Sequence, residues 1–244
     1  VINDPTRSIT LDATGLPFTQ TIEGNAGPTR IFTVSAGSSL SLIGLKLSGG
    51  NGQGASQTGN GGAILNFGTL ALTRCTLSGN TLAAGSGGAV LNDGGSATLT
   101  QCTLSGNAAA NGGAIHQNAG TLSLTQCTLS GNAATTNGGA IYQLAGSVTA
   151  TQCTFFGNTG SQGGAAYQAG GSLSLIHCTA SGNTATVGGG GIFSATSLTL
   201  TNSIIAGNSS PSGADVSCVG ITPTGINFIG DLAGSGLTAS STIF

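Results

Sequence analysis

The chain repeats itself about every 25 residues, and this period constrains its fold more than any other feature of the sequence. The string GGAI, or a close variant of it, begins at glycines spaced 25 or 26 residues apart: Gly61, Gly87, Gly112, Gly138, Gly163 and Gly189. A second marker, Gly followed by Asn, keeps the same period, with the asparagines Asn80, Asn107, Asn132, Asn158, Asn183 and Asn208. Self-similarity at a fixed period of this length is typical of solenoids, in which each repeat forms one coil.

Within one repeat, the residue pattern predicts three short strands. Leu122 and Leu124 alternate with hydroxyl residues, which is the period-two pattern of a half-buried strand. The pattern changes phase after Thr125, so a bend separates this strand from a second one with Cys127 and Leu129 inward. A third strand starts at the GGAI string, and Gly recurs too often for a helix. The sequence therefore predicts an all-β, single-stranded parallel β-helix of about eight or nine coils of about 25 residues, with three short strands per coil.

Residues 1–244 are expected to form a single β-helix domain. Residues 1–33 are interpreted as N-terminal coils or a cap region, 34–208 as regular repeats and 209–244 as a degenerate last coil. A longer step before Asn80 indicates a loop between Gly49 and Gly61. The chain starts without a Met or a signal peptide, which is typical of a piece of a longer product. Neither end has a charged or helical cap, so we expect flanking domains or further copies to continue the stack.

Stacked coils place equivalent residues in columns along the axis. Two apolar columns are expected in the core: Leu72, Leu99, Leu124, Ala150, Leu175 and Leu200, and Leu77, Leu104, Leu129, Phe155, Ala180 and Ile205. The Gly-Asn asparagines are expected to form a hydrogen-bonded amide ladder that caps one corner of every coil. A second amide column after the GGAI strand is expected to do the same: Asn66, Asn92, Gln117, Gln143 and Gln168.

Five cysteines share one further column: Cys75, Cys102, Cys127, Cys153 and Cys178. Their position alternates in phase with the leucines, so they are expected to face inward. Neighbouring Cβ atoms then point in parallel, which strains a disulfide, and we expect buried thiols that act as small apolar side chains. One or two stacked disulfides are the alternative, because an oxidising compartment favours them. No metal site is expected, since no pair of cysteines has CxxC spacing.

Two outward columns are candidate binding surfaces. Thr103, Thr128 and Thr154 belong to a hydroxyl column of the kind that orders water, which suggests ice or crystalline-polymer binding, although Thr is also an ordinary exposed strand residue. The other column lies opposite in parity to the GGAI isoleucines and is expected to form an exterior aromatic-rich stripe: Leu65, Leu91, His116, Tyr142, Tyr167 and Phe193. Tyr142, Tyr167 and Phe193 would contact glycans or a neighbouring rod there.

Charge excludes several classes of function. The chain has only four basic and six acidic residues, which gives no electrostatic surface for nucleic acid or anionic lipid. Its longest apolar runs are too short to cross a bilayer. Between Val34 and Asp215 the charged residues are Lys46, Arg74 and Asp93 alone, so the clustered acids of a polysaccharide lyase or hydrolase are missing. We therefore expect no enzyme and no cofactor.

The repeats also resemble a known family. GGAIHQNAGTLSLTQCTLSGN, residues 112–132, is similar to the repeats of bacterial right-handed β-helix proteins, which include chlamydial polymorphic outer membrane proteins and choice-of-anchor-domain proteins. The resemblance covers about residues 22–208, but regular FxxN tetrapeptides are missing. It implies a right-handed helix, export to the bacterial surface and a structural or adhesive role. We expect an extracellular scaffold that stacks head to tail or laterally, joins flanking domains or serves as an adhesin stalk. A glycan- or ice-binding module is the alternative, and a polysaccharide lyase or hydrolase is less expected.

Overall fold

The computed structural model describes residues 7–24, 29–53 and 59–233, and their regular structure is entirely β. The strands are short, because each coil turns after three to five residues in most places. Their bounds are β1 (Ser8–Asp12), β2 (Gln20–Glu23), β3 (Phe32–Val34), β4 (Ser39–Ile43), β5 (Leu45–Ser48), β6 (Ile64–Asn66), β7 (Thr69–Thr73), β8 (Thr76–Ser78), β9 (Val90–Thr100), β10 (Thr103–Ser105), β11 (Ala108–Ala109), β12 (Ile115–Thr125), β13 (Thr128–Ser130), β14 (Ala133–Ala134), β15 (Ile141–Gln143), β16 (Ser147–Thr151), β17 (Thr154–Phe156), β18 (Thr159–Gln162), β19 (Ala166–Gln168), β20 (Ser172–Ile176), β21 (Thr179–Ser181), β22 (Thr184–Gly188), β23 (Ile192–Thr201), β24 (Ile204–Ile205), β25 (Val216–Thr224) and β26 (Phe228–Ile229).

The strands form three sheets that run along one axis, and every strand pairing in the described ranges is parallel. The nine-stranded sheet contains β2, β5, β8, β10, β13, β17, β21, β24 and β26, one strand from each successive coil. The four-stranded sheet contains β11, β14, β18 and β22, and the other strands form a 13-stranded sheet. Each strand pairs with its counterpart one coil later, which confirms the predicted parallel β-helix.

The predicted core columns are confirmed residue by residue. Leu99 pairs with Leu124, and Leu124 pairs with Ala150. In the second column, Leu104 pairs with Leu129, and Leu129 pairs with Phe155. All members of both columns lie in one buried cluster and are at most 1% exposed. Burial at about 25 cal/mol per Å² of apolar surface makes these columns the largest favourable contribution to folding.

The coil differs from the expected one in its polar stretch before the GGAI string. This stretch contains the short strands of the four-stranded sheet, which are not among the three strands expected in each coil. Ala109, Ala134 and Ala185 are buried there, and Ala108 pairs with Ala133 in the next coil. Alanine is small enough to sit close to the neighbouring backbone, so a strand forms without a large apolar side chain. In β9, β12 and β23, the GGAI strand also continues without a break into the strand that follows it.

Candidate functional site

The predicted amide ladder is present and runs along the corner that follows the nine-stranded sheet. Asn107 donates from its backbone N and its Nδ2 to Oδ1 of Asn132, at 3.0 and 2.9 Å. The Nδ2 atom of Asn107 also donates to the carbonyl oxygen of Leu77 in the preceding coil, at 3.0 Å. The same bonds join the other predicted members, which are at most 8% exposed. Each amide therefore connects three coils and leaves few buried polar atoms unpaired.

A carboxylate ends this ladder, and the sequence analysis missed it. Oδ1 of Asp215 accepts from the backbone N and Nδ2 of Asn208, at 2.9 and 2.8 Å. Oδ2 of Asp215 accepts from the backbone N of Asp231 at 2.6 Å. Because a carboxylate accepts and does not donate, it suits the last position of a one-way series of donors. Asp215 lies seven residues after Asn208 rather than 25, so a search at the repeat period cannot find it.

The five cysteines of the predicted column are buried, at most 2% exposed, and all six cysteines of the chain are free thiols. Cys127 donates from Sγ to the carbonyl oxygen of Leu99 at 3.3 Å. The backbone N of Cys127 donates to Sγ of Cys153 at 3.4 Å. The adjoining thiols of Cys127 and Cys75, together with burial, raise the pKa of the Cys102 thiol. The stacked disulfides left open above are therefore absent.

The next two positions of this column, one and two coils after Cys178, are Ser203 and Asn227. They accept the same backbone hydrogen bond through a hydroxyl and an amide. The backbone N of Cys178 donates to Oγ of Ser203 at 3.0 Å, and Ser203 donates to the carbonyl oxygen of Leu175 at 3.2 Å. The backbone N of Ser203 in turn donates to Oδ1 of Asn227 at 3.0 Å. At Cys153, Ser203 and Asn227 the side chain thus accepts a hydrogen bond from the backbone N of the preceding coil, through a thiol, a hydroxyl or an amide.

The second amide column is a ladder over only part of its length. Asn66 donates to Asn92 at 2.7 Å, and Asn92 donates to Gln117 at 2.9 Å. Gln143 instead donates to nearby carbonyl oxygens, and its Oε1 has no hydrogen-bond partner. The longer Gln side chain reaches carbonyls in its own turn, as Gln168 also does at Gly171. The expectation that this column repeats the first ladder is therefore correct only for its first three members.

The aromatic-rich stripe is less exposed than expected. It faces away from the main core, as parity predicted, but Leu65 is fully buried and Leu91 is 4% exposed. Asn60 and Ser86, which precede two of the GGAI strings, lie beside the stripe, and parity within a strand cannot reveal that cover. Tyr142, Tyr167 and Phe193 are half-buried and stack in parallel, with ring centroids 5.3 and 5.1 Å apart. The exterior reading of this stripe is therefore wrong for its first members.

Stacking of the rings limits what the stripe can bind. A sugar between two parallel rings would need about 7 Å, or two carbon contact distances, and the rings here are closer than that. Burial and Tyr167 raise the pKa of the Tyr142 hydroxyl, which stays protonated at neutral pH. The stripe therefore presents mainly ring edges and hydroxyls to a ligand.

The predicted binding residues do not form one face. Thr128 and Thr154 are exposed and Thr103 is half-buried, and all three lie on the nine-stranded sheet. Tyr142, Tyr167 and Phe193 lie on the 13-stranded sheet. The structure therefore separates the hydroxyl column from the aromatic stripe, and a single ligand surface of both is not formed.

A small cleft of about 220 Å³ opens on the stripe, lined by Asn60, Ser86, Leu91, Asp93, His116 and Asn118. Asn118 donates from Nδ2 to Oδ1 of Asp93 at 2.6 Å. His116 is 9% exposed, packs edge-on against Tyr142 at 4.8 Å, and neither of its ring nitrogens has a hydrogen-bond partner. Burial lowers the pKa of His116 to about 4, although Asp93 opposes the shift, so the imidazole is neutral at pH 7.

Across residues 7–24, 29–53 and 59–233, no cluster of three or more His, Cys, Asp or Glu side chains is arranged to hold a metal ion. None of the described residues forms a helix that could span a membrane. His177 lies exposed at a corner and contacts Nδ2 of Asn202 through its Nε2 at 3.2 Å.

Comparison with known proteins agrees with this architecture. The family described as "Right handed beta helix region" matches residues 31–231, and the chain belongs to that family. No curated protein and no solved structure gives a significant match.

Proposed function

We propose that this chain is a non-catalytic extracellular scaffold, a rod whose length sets the distance between the elements it joins. The observation that carries the proposal is the amide ladder, which links Gly50 to Asp215 through successive buried hydrogen bonds. Hydrogen bonds in series polarise one another and hold the coils in one register. A surface of Ser, Thr, Asn and Gly with only ten charged residues supports an extracellular location.

The end coils support association along the axis. Phe18 is 78% exposed at one end, and Ile226 and Phe228 are 70% and 47% exposed at the other. Strands β2 and β26 are the first and last strands of the nine-stranded sheet. Exposed apolar residues beside a terminal strand favour pairing with another β-coil, supplied by a second copy or by flanking coils of a longer polypeptide. The scaffold then extends as a filament or as a stalk for an adhesive domain.

Size-exclusion chromatography with light scattering and negative-stain microscopy test this proposal. The purified chain should form rods that associate end to end, and Phe228→Ser should reduce that association. Phe156→Ser is the matched control, because Phe156 is 57% exposed on an interior coil of the same sheet. Monomeric rods at all concentrations would remove self-association, and equal loss in the control would show a lateral contact instead. Release of reducing sugar from a polysaccharide would contradict the non-catalytic assignment.

A second candidate is a module that binds ice or a neutral crystalline polysaccharide. The outer face of the 13-stranded sheet favours it, because Ser123 stacks between Thr98 and Thr149 in strict register without a charged side chain beside them. Thermal hysteresis and binding to insoluble cellulose or chitin test it. Thr149→Lys should abolish binding, whereas Thr135→Lys, at an exposed position just after β14, should leave it unchanged. Negative results in both assays would eliminate this candidate.

A further inference from the structure

The cleft beside His116 contains a polar side chain that the fold leaves unpaired. His116 is nine-tenths buried, and both ring nitrogens lack a partner, whereas the same column holds Leu91 one coil earlier and Tyr142 one coil later. Buried polar atoms are almost always hydrogen-bonded, so an exception calls for a specific reason. Leucine would fill this position without that penalty. The exception lies at the wall of a cleft, which points to an occupant.

The walls of the cleft are held firmly before any ligand arrives. Arg30 donates from Nη2 to the carbonyl oxygen of Asn60 at 2.8 Å and to that of Gly52 at 2.9 Å. The side-chain oxygen of Asn60 accepts from the backbone N of Ser86 at 2.9 Å. One wall is therefore tied to the next coil, and a preformed site loses less entropy when it binds.

The groups in the cleft select for a neutral, hydroxyl-rich molecule. Asp93 supplies a carboxylate, which accepts up to about four hydrogen bonds, and Asn118 and Ser86 add an amide and a hydroxyl. A neutral imidazole offers one donor and one acceptor. Leu91 also lines the cleft but is only 4% exposed, so the surface offered to a ligand is mainly polar. The carboxylate of Asp93 in this lining disfavours phosphate, sulfate or carboxylate ligands, because like charges repel.

We propose that this cleft binds one neutral sugar residue, with Asp93, Asn118 and Ser86 on its hydroxyls. The volume of about 220 Å³ is below the roughly 300–1,000 Å³ of drug-sized pockets, so it fits one ring rather than a chain. Both imidazole nitrogens are buried as the ring stands, and a half-turn about the Cβ–Cγ bond places a nitrogen where a ring carbon now lies while the outline of the ring is kept. Binding therefore supplies the partner that His116 lacks.

Saturation-transfer NMR and calorimetry with a panel of methyl glycosides test the proposal. One or a few glycosides should bind, and His116→Leu and Asp93→Ala should each weaken binding at least tenfold. His116→Leu is matched to the column's own Leu91, so the variant is expected to fold, and thermal melts check this. Thr135→Ala, at an exposed position just after β14, is the control and should bind like the parent chain. A histidine-selective NMR spectrum should show a new hydrogen bond on one imidazole nitrogen when sugar is added.

Several results would overturn the sugar site. Failure of every glycoside to bind, or binding that His116→Leu and Asp93→Ala leave intact, would each do so. Binding of Ca²⁺ in place of sugar would also contradict it. A glycan array separates a free monosaccharide from a terminal sugar of a longer glycan, since one ring fits. The end-to-end assembly of the chain should be unchanged in His116→Leu, so failure of this site and failure of the scaffold proposal are distinguishable.

Discussion

Two of the corners in each regular coil place an inward side chain directly after a residue with positive φ, and they do so with different chemistry. At the amide corner, a glycine with positive φ precedes a buried Asn, as in Gly131 and Asn132. At the thiol corner, a non-glycine residue with positive φ precedes a buried Cys, as in Gln126 and Cys127. In both, the inward side chain bonds to backbone groups of neighbouring coils. The amide corner is built from strong partners on an unstrained backbone, and the thiol corner from weak partners on a strained one.

The strained backbone of the thiol corner has a partial compensation outside the coil. A left-handed conformation costs a non-glycine residue about 1–2 kcal/mol. The corner side chains point outward and bond to each other, with Gln101 donating to Gln126 at 3.2 Å and Gln126 to Gln152 at 3.4 Å. These bonds are exposed and contribute little. The comparison indicates that the amide corner contributes most of the stability that fixes the register.

The largest effect is expected from breaking the amide corner. Asn132→Leu removes the acceptor for the backbone N and Nδ2 of Asn107 and the donor to the carbonyl oxygen of Leu104. At about 1–3 kcal/mol for each unpaired buried group, we expect a loss of about 4 kcal/mol in unfolding free energy. Urea denaturation followed by circular dichroism measures it, with Thr128→Ala as the control. A loss below about 1 kcal/mol would show that the ladder is not the main interaction that holds the coils in register.

His116 provides a contrast to both corners, because it is a buried polar side chain whose ring nitrogens have no hydrogen-bond partner. The pKa of this imidazole is lowered by burial from its ordinary 6.5 to about 4 in the folded chain. Between these values the unfolded chain binds a proton that the folded chain does not, so stability falls as pH drops from 6.5 to 4. The full shift corresponds to about 3 kcal/mol. Melts from pH 7 to pH 4 test this, and His116→Leu should remove that part of the acid sensitivity.

A smaller effect is expected at the thiol corner. Cys127→Ala should cost about 2 kcal/mol through lost burial and a lost hydrogen bond, whereas Cys127→Ser should cost about half of that, since Ser203 fills the equivalent position. Urea midpoints of the two variants check the order. A thiol reagent should label Cys218, which is half-buried, well before the column cysteines. Equal losses for Ala and Ser would show that the thiol acts by volume alone.

The smallest effects concern the backbone before each inward residue. Gly131 has a φ of 60° and open space around its missing Cβ, so Gly131→Ala isolates backbone strain and should cost about 1 kcal/mol. Gln126, with a φ of 54°, allows the reverse substitution, in which glycine replaces a strained residue. Gln126→Gly should be neutral or stabilising by up to about 1 kcal/mol, because relief of strain opposes the added freedom of the unfolded chain. Thermal melts of both variants decide whether the two corners differ in strain.

Residues that repeat at the coil period could be predicted from the sequence, and residues outside it could not. The leucine columns and the Asn ladder follow from one period and one alternation, because stacking converts sequence spacing directly into contact. Asp215 falls outside the period and was missed, although it bonds to Asn208 as a ladder member does. The positive φ of Gln126 was also missed, since glycine is the residue that signals such a conformation.

The candidate site was harder to predict, because it depends on which residues pack over the outer side of the strand rather than on strand register. Alternation places His116 outward, but it does not show that Asn60 and Ser86 close over that side. Asp93 stands out in the sequence as a rare charge, and its contact with Asn118 depends on a shift of register between β9 and β12. Local irregularities of this kind have no periodic signal.

The one-way order of the amide ladder has a consequence for how such chains change in length. Every interior coil of the ladder meets a donor on one side and an acceptor on the other, and among the ladder residues that the structure describes only Asp215 is an acceptor alone. Duplication or deletion of one interior unit in the gene therefore restores an equivalent junction, and each unit should add a similar increment of stability. Gene rearrangement can adjust the reach of the molecule in steps of one coil, while the terminating carboxylate is inherited unchanged.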